Sequence, residues 1–314
     1  MTRPSHTSSM APRISVIIPF RDARPSLPAL VTALLSQTIT SDQFEVIWID
    51  DASRDGGGLW LQEQLSPGWR LITFSVPRGA YAARNKGVQV ATSDNLAFTD
   101  ADCRPHPDWL ERGLIALTEG PRVAGRIQTK LSAAPSLAEI VDAGRFFRQR
   151  HYVQEGFAAA ANLFVRRTVF AAVGGFAEDL KSGGDQEFGW RCSKAGIAIH
   201  LADRAIVDHA ARASIRELLK KGERVGFGSG QVLRSGGIPA RTLAKRARER
   251  FGIVRTHQVS DGALPPGGIV RSCSVTAVHL LLMLANAAGA LRGLLSGGGA
   301  ASRGHDATLT KGSG

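Results

Sequence analysis

Cysteine is scarce: Cys103, Cys192 and Cys273 stand far apart, with no C-x-x-C pair among them. They supply neither a zinc-ligand spacing nor a disulfide framework, and they fit a reducing compartment. Aromatic residues are only 6% of the chain. No basic stretch interleaves with them as a stacking surface for bases requires, so no specific nucleic-acid partner is expected. Glycine-rich phosphate loops are missing as well. No G-x-x-x-x-G-K-[ST] occurs, and the segment after the first apolar run, Phe20 to Pro25, holds no glycine. A P-loop NTPase and an NAD dehydrogenase are thereby disfavoured. Residues 1–12 lack the apolar core of a secretory signal, so a disordered N-terminus and a cytoplasmic catalytic domain are expected.

What is present is enough for a large packed core, since 43% of the residues are hydrophobic. The net charge of +12, carried mostly by Arg, suits nucleic acid, an anionic membrane surface or phosphorylated substrates. Arg13 to Pro19 reads as a buried strand closed by proline, and Phe44 to Ile49 as a second. Leu71–Val76 and Leu96–Phe98 are further strands. Between them lie an amphipathic helix from Ser26 to Ser36 and another opening at Gly79 and running through Ala91. This alternation implies parallel strands with right-handed crossovers, an α/β fold. Farther on, Asp108 heads a helix through Thr118, Val123–Lys130 is a strand, and Ser136 to Val153 is one helix. Arg166 to Val173 is a short helix. A glycine loop enters another at Ser182–Arg191, Ile197–Leu201 and Ala205–Val207 are two short strands, and Ser214 begins a long basic helix.

Acids gather where strands stop. The second strand runs into Asp50-Asp51, and the fourth into Thr99-Asp100-Ala101-Asp102. Open α/β sheets bind ligands at that edge. Two carboxylates so close repel one another unless a counter-cation sits with them. Hard oxygens suit Mg²⁺ or Mn²⁺, which can in turn hold a diphosphate. The plain alternative is a turn, where Asp is common.

Six stretches in order, SVIIPFRD, FEVIWIDDASRDGG, GAYAARNKG, FTDADC, NLFVRRTVFAAVGGF and GGDQEFGWR, resemble the family 2 glycosyltransferases over about Arg13 to Gly230. The resemblance implies an inverting enzyme with a GT-A nucleotide-diphospho-sugar fold. It implies that Pro19, Phe20, Asp22 and Asp51 cradle the nucleobase, with Asp51 accepting the imide N–H of uracil and a UDP-sugar as donor. Asp50 facing the core-side backbone is the alternative left open. Arg84 would lie near the nucleotide, Asp100 would hold the ribose and Asp102 the metal. Asn162 would line the donor sugar, Gly184 and Trp190 the acceptor. Asp185 matches the general base of the family. The family often has Glu-Asp where this chain has Gly184-Asp185, which keeps Glu187 in play as base. His209 is similar to a histidine that completes the metal site in many relatives, a structural histidine being the alternative. Arg191 could equally serve as an ion-pair partner.

Beyond Gly230 the resemblance fades. Arg241 to Arg255 is dense in Arg, and Ser272–Leu291 has no Asp, Glu, Lys or Arg. The expectation is a catalytic domain over 13–230, a basic and apolar helical extension over 231–295 and a disordered tail over 296–314. The apolar helix could span a membrane, lie on it or pack in the core. A saccharide or lipid-linked acceptor at the inner face of the cell membrane fits these features. A non-catalytic nucleotide-sugar-binding subunit is the competing reading, and a nucleotidyltransferase a more distant one.

Overall fold

A computed structural model describes residues 11–235 and 269–296. The expectations for the first ten residues, for Arg241–Arg255 and for the tail beyond 296 lie outside the described residues.

The first half builds the parallel part of the sheet. β1 (Ile14–Phe20) and β2 (Phe44–Asp50) are buried at every position. Continuous burial is what a parallel strand covered on both faces requires. β3 (Trp69–Thr73) pairs parallel with β2, and β4 (Asn95–Thr99) pairs parallel with β1. The crossovers are α1 (Leu27–Leu35), α2 (Gly57–Glu63) and α3 (Ala80–Val90). Because these strands run the same way, their C-terminal ends deliver Phe20, Asp50 and Thr99 to one edge.

The second half adds β5 (Cys103–Pro105), α4 (Trp109–Ala116), β6 (Arg122–Lys130), α5 (Leu137–Arg145), α6 (Gln149–Gln154), β7 (Asn162–Arg166), α7 (Arg167–Val173), α8 (Gly184–Lys194) and β8 (His200–Ala210). One eight-stranded sheet results, in the order β3-β2-β1-β4-β7-β6-β8-β5. β7 runs antiparallel to both β4 and β6, and β5 antiparallel to β8, while β6 and β8 are parallel.

Two expectations are corrected here. The stretch 197–207 does not make two strands. Residues 197–199 are irregular, and from His200 on the chain forms the single strand β8, whose register against β6 shifts between Gly125 and Arg126. Exposed Asp203 and Arg204 at that irregularity interrupt the apolar pattern and give the look of a gap. The helix expected over Ser136 to Val153 is two helices. Phe147 takes a positive φ of 56°, which no right-handed helix tolerates, and α5 ends there. The start was legible: Ser136 and Glu139 form a reciprocal capping box.

The last two described helices, α9 (Ile215–Arg234) and α10 (Ile269–Leu295), pack along each other. Gly222, Gly226 and Gly230 recur every fourth residue on α9, and a Cβ at each would collide with Leu282, Asn286 and Ala290 of α10 respectively. Gly289 and Gly293 of α10 meet the backbone of Glu223 and Phe227 in return. Two helices approach this closely only where side chains are absent from the seam. A small apolar cluster of Val141, Leu218, Val278 and Leu282 ties α5, α9 and α10 together. Gly226→Leu therefore separates α9 from α10. Thermal denaturation should show a loss of about 1–3 kcal/mol, the usual penalty for overpacking, with protease cleavage appearing first in α10. An unchanged melting curve would contradict the seam.

Candidate active site

The strand ends open into one cavity of about 1130 Å³. Pro19, Phe20, Asp22, Asp51, Arg84, Asp100, Asp102, Asp185 and His209 all line it. The chain thus brings together nine of the residues singled out in the sequence, drawn from segments as far apart as β1 and β8.

Asp51 follows β2 and is 5% exposed. Its two carboxylate oxygens accept the backbone N–H groups of Arg78 (2.6 Å) and Gly79 (3.0 Å), just before α3 begins. Each oxygen keeps a lone pair for a ligand. Asp50 instead accepts from the Ser53 N–H at 2.8 Å, so the turn-forming role falls to Asp50, and Asp51 is the one on the cavity wall. Asp22 holds a φ of +49° and accepts from the Arg54 N–H at 2.8 Å, clamping the end of β1 to the loop after β2.

Arg84 is 6% exposed and reaches Asp100 at 2.5 Å. Its buried Nε has no hydrogen-bond partner. Asp102 lies beside His209 for a topological reason: β5 pairs with β8 so that Cys103 sits opposite His209. The Asp102 Oδ2 to His209 Nε2 distance is 3.2 Å. Burial raises the Asp102 carboxyl, but the His209 contact and the Arg212 charge outweigh it and hold it at about 2. His209 is 2% exposed, its ring 4.5 Å from that of Phe147, and its Nδ1 has no hydrogen bond.

This donor set fits a divalent cation. An ionised carboxylate and an imidazole share one wall with Asp100 close by in sequence, and both are acceptable to Mn²⁺. No group of three or more His, Cys, Asp or Glu poised for a metal exists among the described residues. The remaining ligands would have to come from substrate and water, as is usual where Mg²⁺ or Mn²⁺ meets a diphosphate.

Asp185 stands on the first turn of α8, behind Gly183, whose φ of 80° sets the helix entry. Burial pushes its carboxyl above the usual range, opposed by the Arg84 charge and by backbone N–H groups including that of Gln186, 2.9 Å away.

Four expected site residues lie elsewhere. Glu187 is gripped by Arg191 through both oxygens, at 2.7 and 2.9 Å, and does not line the cavity. This is the ion-pair role left open for Arg191, and a carboxylate so held is a poor base. Asn162 is fully buried, not exposed to a sugar. Its Oδ1 accepts from Trp109 Nε1, and its Nδ2 donates to the carbonyls of Arg126 and Ala205, each at 2.9 Å. Gly184 donates its N–H to the Tyr81 hydroxyl at 2.8 Å, packed so that a Cβ would strike the ring. Trp190 packs against the apolar core around Phe98, Phe176 and Phe188 and does not line the cavity.

Several lining residues carried no readable signal. Lys221 on α9 reaches the wall only because α5 and α9 meet, and Phe146 and Phe147 only because the helix breaks at 147. Arg212, three residues after His209, and Arg78 and Tyr81, flanking the α3 start, were findable by proximity alone.

A family model described as Glycosyl transferase family 2 matches residues 15–170. The chain is 35% identical over 231 residues to glycosyltransferase AglE of Haloferax volcanii, covering 72% of this chain and 75% of that one. It is 27% identical over 236 residues to a pre-mycofactocin glycosyltransferase of Mycobacterium tuberculosis, covering 69% of this chain and 46% of that one. Among solved structures it resembles the mannosyltransferase PcManGT of Pyrobaculum calidifontis, solved with GDP-Man and Mn²⁺, with a TM-score of 0.63 at 18% identity. That match covers 90% of this chain and 87% of the other. Residues 1–349 of S. aureus TarS, solved with UDP, match with a TM-score of 0.51 at 17% identity, over 69% and 65% of the two chains.

The Asn162 network yields a test that separates structure from binding. Asn162→Leu strands Trp109 Nε1 and two carbonyls in the core, and urea denaturation should show a loss of about 3 kcal/mol or more. A stable variant with impaired ligand binding would return Asn162 to the site.

Proposed function

The chain belongs to the family 2 glycosyltransferases, and from that premise we propose that it moves a sugar from a UDP-sugar to an acceptor hydroxyl with inversion at the anomeric carbon. The observation that supports this most is the single cavity holding Asp51, Asp100, Asp102 and His209 together with Asp185. The nucleobase would lie along Pro19, Phe20 and Asp22, with Asp51 accepting an imide N–H and Asp100 a ribose hydroxyl. A divalent cation at Asp102 and His209 would offset the charge that grows on the departing diphosphate.

Asp185 serves as general base. Its raised carboxyl is a better proton acceptor than an ordinary aspartate, and the Arg84 charge opposes that rise. The acceptor hydroxyl loses its proton to Asp185 while its oxygen forms the new glycosidic bond, and the bond to the nucleoside diphosphate breaks. One displacement of this kind inverts the centre and needs no protein nucleophile. The Glu187–Arg191 pair braces α8 beneath the base without taking part.

The extension brings the site to a membrane surface on the cytoplasmic side. Among the described residues one helix, Val275–Leu295 of α10, is long and apolar enough to cross a bilayer, and only 22% of that window is buried. Leu280, Leu281, Leu284, Leu291 and Leu295 are exposed on it. An apolar helix held by its glycine seam to a basic one suits a lipid interface. The acceptor would then be a lipid-linked saccharide or a growing polysaccharide.

Asp185→Asn should lower kcat by about 10²–10⁴-fold while calorimetry records unchanged UDP binding in Mn²⁺. In the wild type, kcat/KM should fall as pH drops through a carboxyl pKa above the usual range. Full turnover by Asp185→Asn would remove the base assignment, and identical behaviour in every assay would favour a non-catalytic binding subunit. Separately, the full chain should co-sediment with anionic vesicles and a chain ending at residue 235 should not. Equal partitioning of the two would remove the membrane claim.

A further inference from the structure

Besides the residues that account for a nucleotide-sugar, the cavity has a positively charged stretch of wall. Lys221, Arg224 and Arg212 line it there, the first two from α9. Lys221 is 7% exposed, and its Nζ lies 3.8 Å above the Phe146 ring and 4.6 Å above that of Phe147. The carboxylate serving it, Asp142 of α5, is 1% exposed and accepts from Lys221 Nζ at 3.2 Å and from the Arg212 N–H at 3.2 Å. Arg212 Nη1 stands 3.5 Å from the same carboxylate and is buried without a hydrogen bond. A buried lysine and a half-buried arginine thus share one buried anion. Arg224, exposed on the cavity wall, makes no ion pair among the described residues.

Burying a cation without matching negative charge is costly, and such a wall is stable chiefly when an anion arrives to complete it. The lysine already registers the shortage: burial and the Arg212 charge draw it down to about 8. The diphosphate of the donor would be met by the cation at Asp102 and His209. An acceptor carrying only hydroxyls would bring Lys221 and Arg224 no negative charge. The cavity also reaches α10, whose Asn286 lines it and which carries exposed leucines.

We propose that Lys221, Arg224 and Arg212 form a second anion site in the cavity, which holds a phosphate group borne by the acceptor. The proposal rests on the transferase reading above and narrows it, from any hydroxyl-bearing acceptor to a phosphorylated one. The phosphate could come from a lipid headgroup or from a free phosphate compound, and the chemistry of the site is the same for both.

Isothermal titration of the full chain, saturated with UDP and Mn²⁺, tests this with farnesyl phosphate, inorganic phosphate and farnesol as probes. Farnesyl phosphate should bind, and Arg224→Gln and Lys221→Gln should each weaken it about tenfold, the loss of one charge-assisted hydrogen bond. Binding of UDP itself should not change. Arg224 is exposed, so its variant will fold even if the buried Lys221→Gln does not. Inorganic phosphate bound as tightly as farnesyl phosphate supports the site and removes the lipid as its source. Farnesol bound equally well, or phosphate binding indifferent to Arg224→Gln, overturns the proposal. A parallel fall in UDP affinity also overturns it, by giving these cations to the donor. Should the wild type bind farnesyl phosphate in a charge-dependent way yet refuse UDP, the anion site stands and the UDP reading fails.

Discussion

The antiparallel pairing of β5 with β8 is the constraint on which the site depends. β5 is three residues long, and its ladder sets Cys103 against His209. A shift of one residue would turn the imidazole to the other face and leave the aspartate of the fourth strand end without its neighbour. The two halves of the sheet are themselves joined by the β4–β7 pairing. The parallel strands β1, β2 and β4 supply acids at their C-terminal ends, and β8 supplies the histidine and the chain that leads into α9. Asp102 is held low by this contact and so stays ionised throughout the physiological range.

The parallel half was legible because its signals are local. Strands covered on both faces must be apolar at every residue, and the acids that interrupt such runs mark the sheet edge with little ambiguity. Asp51, Asp100, Asp102 and Asp185 were found this way or through the family likeness, and all four line the cavity. What failed was anything decided by partners distant in sequence. Asn162 is placed at the donor sugar by the family likeness alone. It is instead the hub joining Trp109 to carbonyls of two strands, a role fixed by where β6, β8 and α4 meet. Glu187 was separable from Asp185 only once Arg191 was seen to occupy both its oxygens.

Backbone conformation was the other blind spot. Asp22, Ala52 and Phe147 are the non-glycine residues with positive φ among those described. Asp22 and Phe147 line the cavity, and Ala52 directly follows Asp51. A left-handed phenylalanine costs on the order of 1–3 kcal/mol and persists only when its surroundings over-determine it. Here they do. The ring of Phe147 is placed against His209 on one side and beneath the Lys221 ammonium on the other. No helical periodicity hints at this, so a sequence reading runs the helix straight through the break.

That break links the two ends of the cavity. Were α5 and α6 one continuous helix, Phe146 and Phe147 could not both turn toward Lys221, and the ammonium would lose the ring faces that replace part of its hydration. Asp142 would then face a less well-held lysine, and the contact between α5 and α9 would rest on the apolar cluster alone. The strain at Phe147 is thus tied to two contacts at once: it packs the histidine of the proposed cation site and roofs the lysine of the proposed anion site. A side chain shared in this way couples the positions of the two charges, because neither His209 nor Lys221 can move without displacing the same ring. For a reaction that must bring a donor diphosphate and an acceptor to a fixed separation, such a rigid spacer is worth more than either contact taken singly.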